Sequence, residues 1–183
     1  MMLQAMEAAR MRAAWRETPR PAVVSLGFVR GGDAARIRDS LEATAPDERW
    51  LAHRGRYASA TEHDVPDIVR ACRAAAESVT GEALAVERVR LVRFGPRGYQ
   101  LLADDPPPAE RCLEVTLDAS DGASGGAELI YCAKGQPYFV VTQRPGTLSI
   151  VERQPDTQRY VRYLDHTLGE ARVYRLELLL VPA

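Results

Sequence analysis

The spacing of hydrophobic residues changes about halfway along the chain. Before residue 84, apolar positions recur every three or four residues in three segments, which predicts three helices. The first helix ends before Pro19, and the second is capped by Asp33. The third begins near Pro66 and is stopped by Gly81. Between the first two helices, residues 22–28 form a strand candidate.

From residue 84 onward the hydrophobic period falls to two, which is the period of strands. Several short strands separated by turn residues are typical of a sandwich or barrel. Helices followed by strands make an α+β fold, and we expect the helices to pack on one side of a double-stranded β-helix, or jelly roll. The predicted strands of this half are residues 89–94, 112–118, 128–133, 138–143, 147–152, 158–164 and 171–181.

The composition is that of one ordinary globular domain. The chain has 183 residues, of which 46% are hydrophobic and 27% charged. That length is enough to bury a core without disulfides or a structural metal. We therefore predict a single domain over 1–183, made of a helical support region with an edge strand (1–83) and the double-stranded β-helix core (84–183).

Charge and hydropathy argue against several kinds of partner and location. The net charge of −1 disfavours nucleic acid, because neutralising phosphates requires a basic face. The longest apolar runs have the length of strands and cannot cross a bilayer, and no secretory signal is apparent. Cys72, Cys112 and Cys132 lack metal-ligand spacing, so we expect reduced thiols in a bacterial-type cytoplasm.

The most informative stretch is residues 94–105, in which Phe94 opens a Gly-containing turn, Tyr99 follows, and Asp105 closes the segment. It resembles the metal-binding strand of the prolyl-hydroxylase branch of the 2-oxoglutarate/Fe(II) dioxygenases. The resemblance covers almost the full chain, because five more landmarks of that family follow in order. They are a strand at 111–118, a Gly-Gly hairpin at 124–129, a Pro-Gly turn at 144–150 and the segments 158–161 and 172–176.

The resemblance implies that two of the three metal-binding residues of the family are replaced in this chain. Relatives hold iron with His-x-Asp and a second histidine, and these positions correspond here to Ala103, Asp105 and Arg159. One carboxylate is a poor Fe(II) site, and a guanidinium stays protonated and cannot ligate. We expect vestigial metal positions and no cofactor, with Fe(II) and 2-oxoglutarate relevant only if this alignment is wrong. We also expect Arg159 to pair with Asp105 across the barrel.

The other histidines do not restore the site. His53 and His63 precede the barrel strands, and His166 lies seven residues beyond Arg159, in or beside a turn. A strand rises about 3.3 Å per residue, so a shift of that size moves a ligand by roughly 20 Å. We therefore expect all three histidines to lie away from the metal position.

Arg172 falls where relatives have the arginine that grips the distal carboxylate of 2-oxoglutarate. The alternation of its strand places Arg172 and Tyr174 on one face. If that face points into the barrel, Arg172 is a buried cation that needs an anionic partner. The sequence leaves two possibilities for that partner. It is either a small carboxylate ligand, or the side chain of Asp105 or Glu114 in an internal salt bridge.

Two further residues are candidates for the same ligand. The resemblance places Tyr99 near the pocket, where its hydroxyl would bind a ligand carboxylate, and the alternative is a core tyrosine. Thr116 lies close to a position where relatives often have a tyrosine that contacts 2-oxoglutarate, which implies a weakened contact here.

Three functions remain open from the sequence. The first is a metal-independent binding or accessory protein that has lost oxygenase activity and takes a small carboxylate or a protein partner. The second is a redox-neutral isomerase, cyclase or lyase in which Asp105, Arg159, Arg172 and Tyr99 act as polar groups of the barrel pocket. The third is an active oxygenase with an atypical metal site. We favour the first, and the sequence leaves open whether a homodimer forms.

Overall fold

The computed structural model describes residues 3–44, 47–51, 55–122, 126–142, 144–165 and 171–183. His53 and His166, which are expected from the sequence to lie away from the metal position, are outside these ranges. The described residues form three α-helices: α1 (Ala5–Glu17), α2 (Gly31–Ala43) and α3 (Pro66–Thr80). They also form the strands β1 (Ala22–Ser25), β2 (Asp47–Leu51), β3 (Gly55–Ala60), β4 (Leu84–Phe94), β5 (Tyr99–Gln100), β6 (Cys112–Asp118), β7 (Leu129–Ala133), β8 (Gln136–Val141), β9 (Leu148–Arg153), β10 (Thr157–Val161) and β11 (Val173–Pro182).

The strands make one antiparallel sheet that curls into a nearly closed barrel. Along the sheet the strand order is β1-β9-β6-β11-β4-β3-β5-β10-β7-β8, and β2 adds to β3. The three helices pack against the barrel on one side, through contacts of α2 and α3 with β4, β6 and β11. This arrangement confirms the predicted α+β fold, a double-stranded β-helix with supporting helices.

The three predicted helices are all present, and each buries one apolar face. In α2 the buried positions include Ile37 and Leu41, four residues apart, as the sequence pattern requires. The third helix begins with Pro66 at its first turn and ends at Gly81. Gly81 has a φ of 78°, and its N–H donates to the Glu77 carbonyl at 2.9 Å, which closes the last turn.

The central strands are buried on both faces, so the chain has two cores separated by the sheet. On β6, Leu113, Val115 and Leu117 pack against the helices. The alternating residues Glu114 and Thr116 face the barrel interior, and they are buried too. A second, smaller core of aromatic and aliphatic side chains fills the rest of the interior, with Phe94, Tyr131 and Val161 among its members.

Two parts of the fold differ from the sequence prediction. The region 1–83 contains the β2–β3 hairpin in addition to the one expected strand. The hairpin carries few alternating apolar residues, since β2 contains Asp47, Glu48 and Arg49, so no period of two was visible in the sequence. The presumed metal-binding strand stops after β5, and a 3-10 turn over Leu102–Asp104 replaces its second half.

The 3-10 turn is held by its own polar contacts. The Asp104 carboxylate accepts hydrogen bonds from the Tyr57 hydroxyl and from Gln100 Nε2, the latter at 3.1 Å. Its backbone N–H donates to the Leu101 carbonyl at 3.0 Å.

None of the helices in the described ranges is long and apolar enough to span a bilayer.

Gly81→Ala tests the helix stop. A side chain at a left-handed backbone position costs about 1 kcal/mol, so the free energy of unfolding should fall by about that amount. Gly32→Ala in the first turn of α2 is the matched control, because Gly32 has open space around its Cα and no positive φ. That variant should be neutral or stabilised. Urea unfolding measures both, and equal effects would contradict the helix-stop role.

Candidate functional site

A group of buried charged residues lies where the barrel strands face one another. Strands alternate their side chains between the two faces of a sheet, so charged residues inside apolar strands reach the interior of the barrel. The group, called the charged cluster below, contains three arginines and three carboxylates, each of them at most partly exposed. Its members are Arg90, Asp105, Glu114, Arg153, Arg159 and Glu177.

Arg159 on β10 is the centre of the charged cluster. Its Nε donates to Asp105 Oδ2 at 2.5 Å, and its Nη2 donates to Glu177 Oε2 at 3.0 Å. Its Nη1 donates to Glu114 Oε1. Each nitrogen of one guanidinium therefore binds a different carboxylate, from the loop after β5, from β6 and from β11. The side chain is 1% exposed, so the contacts are shielded from water.

The other two arginines complete the charge balance. Arg153 Nη1 lies 2.8 Å from Asp105 Oδ2 and 2.8 Å from Glu114 Oε2. Arg90 Nη2 lies 2.7 Å from Glu177 Oε2. The three positive and three negative charges of the cluster cancel, which is the condition for keeping ions inside a protein. Tyr131 adds a hydrogen bond without adding a charge, because its hydroxyl donates to Glu114 Oε1 at 2.9 Å.

The pKa values of the cluster follow from two opposing effects. Burial by itself would raise the pKa of Asp105, but the charges of Arg159 and Arg153 hold it below its usual range. Glu177 is buried as well, and Arg159 and Arg90 hold its pKa well below the usual range. Burial works against the charge of Arg159, yet its three carboxylates raise its pKa. Asp105, Glu177 and Arg159 therefore stay ionised at neutral pH.

The predicted pairing of Arg159 with Asp105 is confirmed. Ala103, by contrast, is exposed on the 3-10 turn, while Asp105 is 4% exposed. The three positions implied for iron thus hold a methyl group, a carboxylate already bound to two guanidinium groups, and a guanidinium. They do not fit Fe(II). In the part of the chain that the structure describes, no group of His, Cys, Asp and Glu is arranged to hold a metal ion.

The four residues proposed to bind a ligand do not meet in one place. On β11 the inward face carries Arg175 and Glu177, so Tyr174 points to the opposite, helix-covered face. Its hydroxyl donates to Glu42 Oε1 of α2 at 2.9 Å. Arg172 precedes the strand and is exposed. The condition under which Arg172 would be a buried cation, that its face of β11 points into the barrel, is therefore not met.

Tyr99 and Thr116 also lie on different faces of the sheet. Tyr99 pairs with Arg56, on the outer face, while Gln100 pairs with Val161 and points inward. Thr116 faces the interior and is 3% exposed. The sequence placed Tyr99 near the barrel pocket, but the alternation of β5 turns it outward. Ligand binding by any of the four stays a prediction.

Sequence reasoning missed the interior arginine of β11. Arg175 is buried, its Nη2 donates to the Ala127 carbonyl, and its guanidinium lies 5.4 Å from the centre of the Phe94 ring. Burial lowers its pKa. A signal for it was present, because Arg175 and Glu177 are charged residues within an otherwise apolar strand. Charges at such positions require partners across the barrel.

Two surface pockets lie outside the barrel interior. The first, of about 330 Å³, lies at the end of β4 beside the β2–β3 hairpin. The second, of about 650 Å³, lies between α2 and the start of α3 and includes Arg36, His63 and Asp67. Neither is lined by Asp105 or Arg159.

The three cysteines are buried and free, as predicted. Burial raises the pKa of Cys72 to about 12 and that of Cys112 to about 11. Thiols with such values carry almost no thiolate at neutral pH, so they are poor nucleophiles.

Comparison with known proteins identifies the fold. The sequence matches no family model, and no curated protein matches it. The structure is similar to a Pseudomonas putida prolyl-4-hydroxylase, with a TM-score of 0.66 and 12% identity over 92% of this chain and 97% of that one. It is also similar to the α-ketoglutarate-dependent carbocyclase SnoK from nogalamycin biosynthesis, with a TM-score of 0.70 and 12% identity over 99% and 85% of the two chains.

A third similar structure is the epimerase SnoN from the same biosynthesis, also α-ketoglutarate dependent, with a TM-score of 0.68 and 16% identity over 98% of this chain and 84% of that one. All three likenesses extend over most of both chains. The protein therefore has the double-stranded β-helix fold of the 2-oxoglutarate/Fe(II) oxygenases.

Arg159→Met tests the centre of the charged cluster. It leaves three buried carboxylates short of a counter-charge, so the free energy of unfolding should fall by about 3–5 kcal/mol. Arg162→Met on the same segment is the matched control, because that side chain is 60% exposed in a surface pair with Glu128. Its effect should be far smaller.

Arg159→Lys covers the case in which the methionine variant does not fold. It keeps the charge but loses the planar fork, so an intermediate loss of stability is expected. Denaturant unfolding measures all three variants. Equal stabilities of the Arg159 and Arg162 variants would contradict a central role for Arg159.

Acid should weaken the fold through the same cluster. The pKa values of Asp105 and Glu177 are lower in the folded than in the unfolded chain, so the unfolded chain binds more protons in acid. Their stabilisation is present above about pH 4.5 and is lost as the pH falls through the lowered folded-state pKa values.

Glu177→Gln should lower stability at pH 7 and flatten this acid dependence, because Arg159 and Arg90 lose their shared counter-charge. Glu128→Gln, at the surface, is the isosteric control and should retain the wild-type pH profile. Thermal unfolding from pH 3 to 8 measures both variants. If the stability of Glu177→Gln fell with pH in parallel with that of the wild type, Glu177 would not be a source of the acid dependence.

Proposed function

We propose that the protein is a member of the 2-oxoglutarate/Fe(II) oxygenase superfamily that has exchanged its metal centre for the charged cluster. It acts as a metal-independent binding or accessory protein. The observation that carries the proposal is the position of Arg159. Its guanidinium stands where the resemblance implies the second histidine ligand, and it binds the carboxylate at the implied ligand position, Asp105.

The electrostatics of the cluster support this proposal. A divalent cation at Asp105 would have to displace Arg159 and Arg153, which form ion pairs with Oδ2 of that carboxylate at 2.5 Å and 2.8 Å. Arg88 adds a third positive charge 3.9 Å from Oδ1. A metal ion in this position would be repelled by fixed positive charges and would gain one carboxylate ligand in return.

The arginine positions also argue against a 2-oxoglutarate site of the usual kind. Arg172, at the position implied for gripping the distal carboxylate, is exposed outside the barrel. The inward arginine of the same strand, Arg175, already donates to a backbone carbonyl. These contacts support a barrel that serves as structure more than as a cofactor pocket.

A redox-neutral enzyme is less well supported. Its candidate groups Asp105 and Arg159 are 4% and 1% exposed and satisfied by one another. Substrate access to them would require the cluster to open. The similar epimerase and carbocyclase are both described as α-ketoglutarate dependent, so they offer no example of cofactor-free chemistry on this fold. A cytoplasmic location and the absence of a nucleic-acid partner stay part of this proposal.

Anaerobic addition of Fe(II) and 2-oxoglutarate to the purified protein tests the proposal. We expect no visible charge-transfer band of the iron chelate and no iron retained after desalting. A prolyl hydroxylase of the same fold, treated in parallel, is the positive control. A visible band with about one iron retained per chain would overturn the proposal, and the chain would then be assayed as an oxygenase.

A further inference from the structure

The pocket beside the β2–β3 hairpin lies on the side of the sheet away from the barrel interior. It is called the outer-face pocket below. Its volume of about 330 Å³ falls at the lower end of the range for small-molecule sites. The long side chains that line it are Glu48, Arg49, Trp50, Arg56, Arg93 and Arg172.

The strand register explains how these residues meet. Trp50 lies opposite Arg56, and Glu48 lies opposite Ala58 in the β2–β3 pair. Ala58 in turn lies opposite Arg93 of β4. Directly opposed residues share a face, so Trp50, Arg56, Glu48 and Arg93 all project from the outer face. The helices cover this face of β4 only as far as the end of α2, where Glu42 binds Arg93.

The outer-face pocket carries an excess of positive charge. Four of its lining residues are arginines and one is a glutamate. Arg56 and Arg93 project from the outer face, whereas Arg49 lies opposite Tyr57 of the interior core and contributes at the edge of the hairpin. Arg93 is paired, with Glu42 at 2.7 Å and with Glu48 at 3.0 Å. Arg56 is exposed and forms no ion pair within the described part of the chain. The carboxylates near the pocket therefore leave part of its guanidinium charge available to an anion.

Trp50 gives the outer-face pocket an apolar wall. Its side chain is 78% exposed, which is unusual for the largest apolar residue. The indole stands directly across from Arg56, so a flat apolar surface and a cation face the same space. Planar ligands with an acidic group use such a pair, stacking on the ring while the guanidinium binds the oxygens.

We propose that the outer-face pocket binds a small organic anion that joins a planar ring to a carboxylate or a phosphate. The ring lies on Trp50, and the anionic group is held by the arginines, with Arg56 contributing most. The site goes beyond the function proposed above and does not depend on it, because none of its lining residues belongs to the charged cluster.

The two tryptophans allow a direct test by NMR of their indole N–H signals. Trp50 lies in the pocket, while Trp15 on the buried face of α1 is 6% exposed and serves as an internal reference. Phthalate and adenosine monophosphate are the probes, because they carry a ring with carboxylates and a ring with a phosphate. Adenosine and inorganic phosphate are the corresponding half-ligands, and Trp50→Phe assigns the signal.

We expect phthalate, adenosine monophosphate or both to shift the Trp50 signal saturably and to leave the Trp15 signal in place. Each half-ligand should bind at least ten-fold more weakly. Arg56→Ala should weaken binding at least five-fold, whereas Arg70→Ala on the exposed side of α3 should not change it. Saturation by one probe alone identifies the acidic group as carboxylate or phosphate.

Two results would overturn the proposal. One is the absence of any saturable Trp50 shift with both probes. The other is equal binding by the Arg56→Ala and Arg70→Ala variants. Because both arginines are exposed, both variants should fold, and an unchanged Trp15 signal verifies this in the same spectra.

Discussion

The guanidinium of Arg159 and its three carboxylates set the constraint on which the barrel depends. An ionised side chain with 1% exposure is stable only if its charge is balanced by nearby partners. Asp105, Glu114 and Glu177 supply those partners from three separate segments of the chain, one at each nitrogen of the guanidinium. These carboxylates in turn need Arg90 and Arg153, so the position of one arginine fixes five other side chains across the interior.

This constraint links the sheet to the function. The barrel centre of this protein is filled by paired ions and by the aromatic core beside them. In the function proposed above, the charged cluster takes the place of a metal centre while the architecture of the fold is kept. A scaffold of this kind can bind other molecules through its surface, and the outer face beside the β2–β3 hairpin offers arginines and an exposed indole for that purpose.

Parts of the structure were predictable from local sequence because local physics determines them. The stop of α3 at Gly81 follows from a backbone conformation that glycine favours. The double-stranded β-helix follows from the change of hydrophobic period and from the order of the family's landmarks. The pairing of Arg159 with Asp105 was also predictable, because a buried guanidinium requires an anionic partner and the resemblance placed a carboxylate across the barrel from it.

Other features were decided only by the tertiary structure. A period of two divides β11 into two faces, but both faces are buried, so hydrophobicity cannot tell which one is inside. The sequence therefore left open whether the face of Arg172 and Tyr174 points inward. The packing of Leu176 and Leu178 against the helices decided this, because it turns Arg175 and Glu177 to the barrel interior. The sequence by itself determined the three helices, the change to strands after residue 84 and the order of most of the barrel strands. Which charges meet inside the barrel depends on contacts between residues far apart in the chain, and only the closed sheet brings these together.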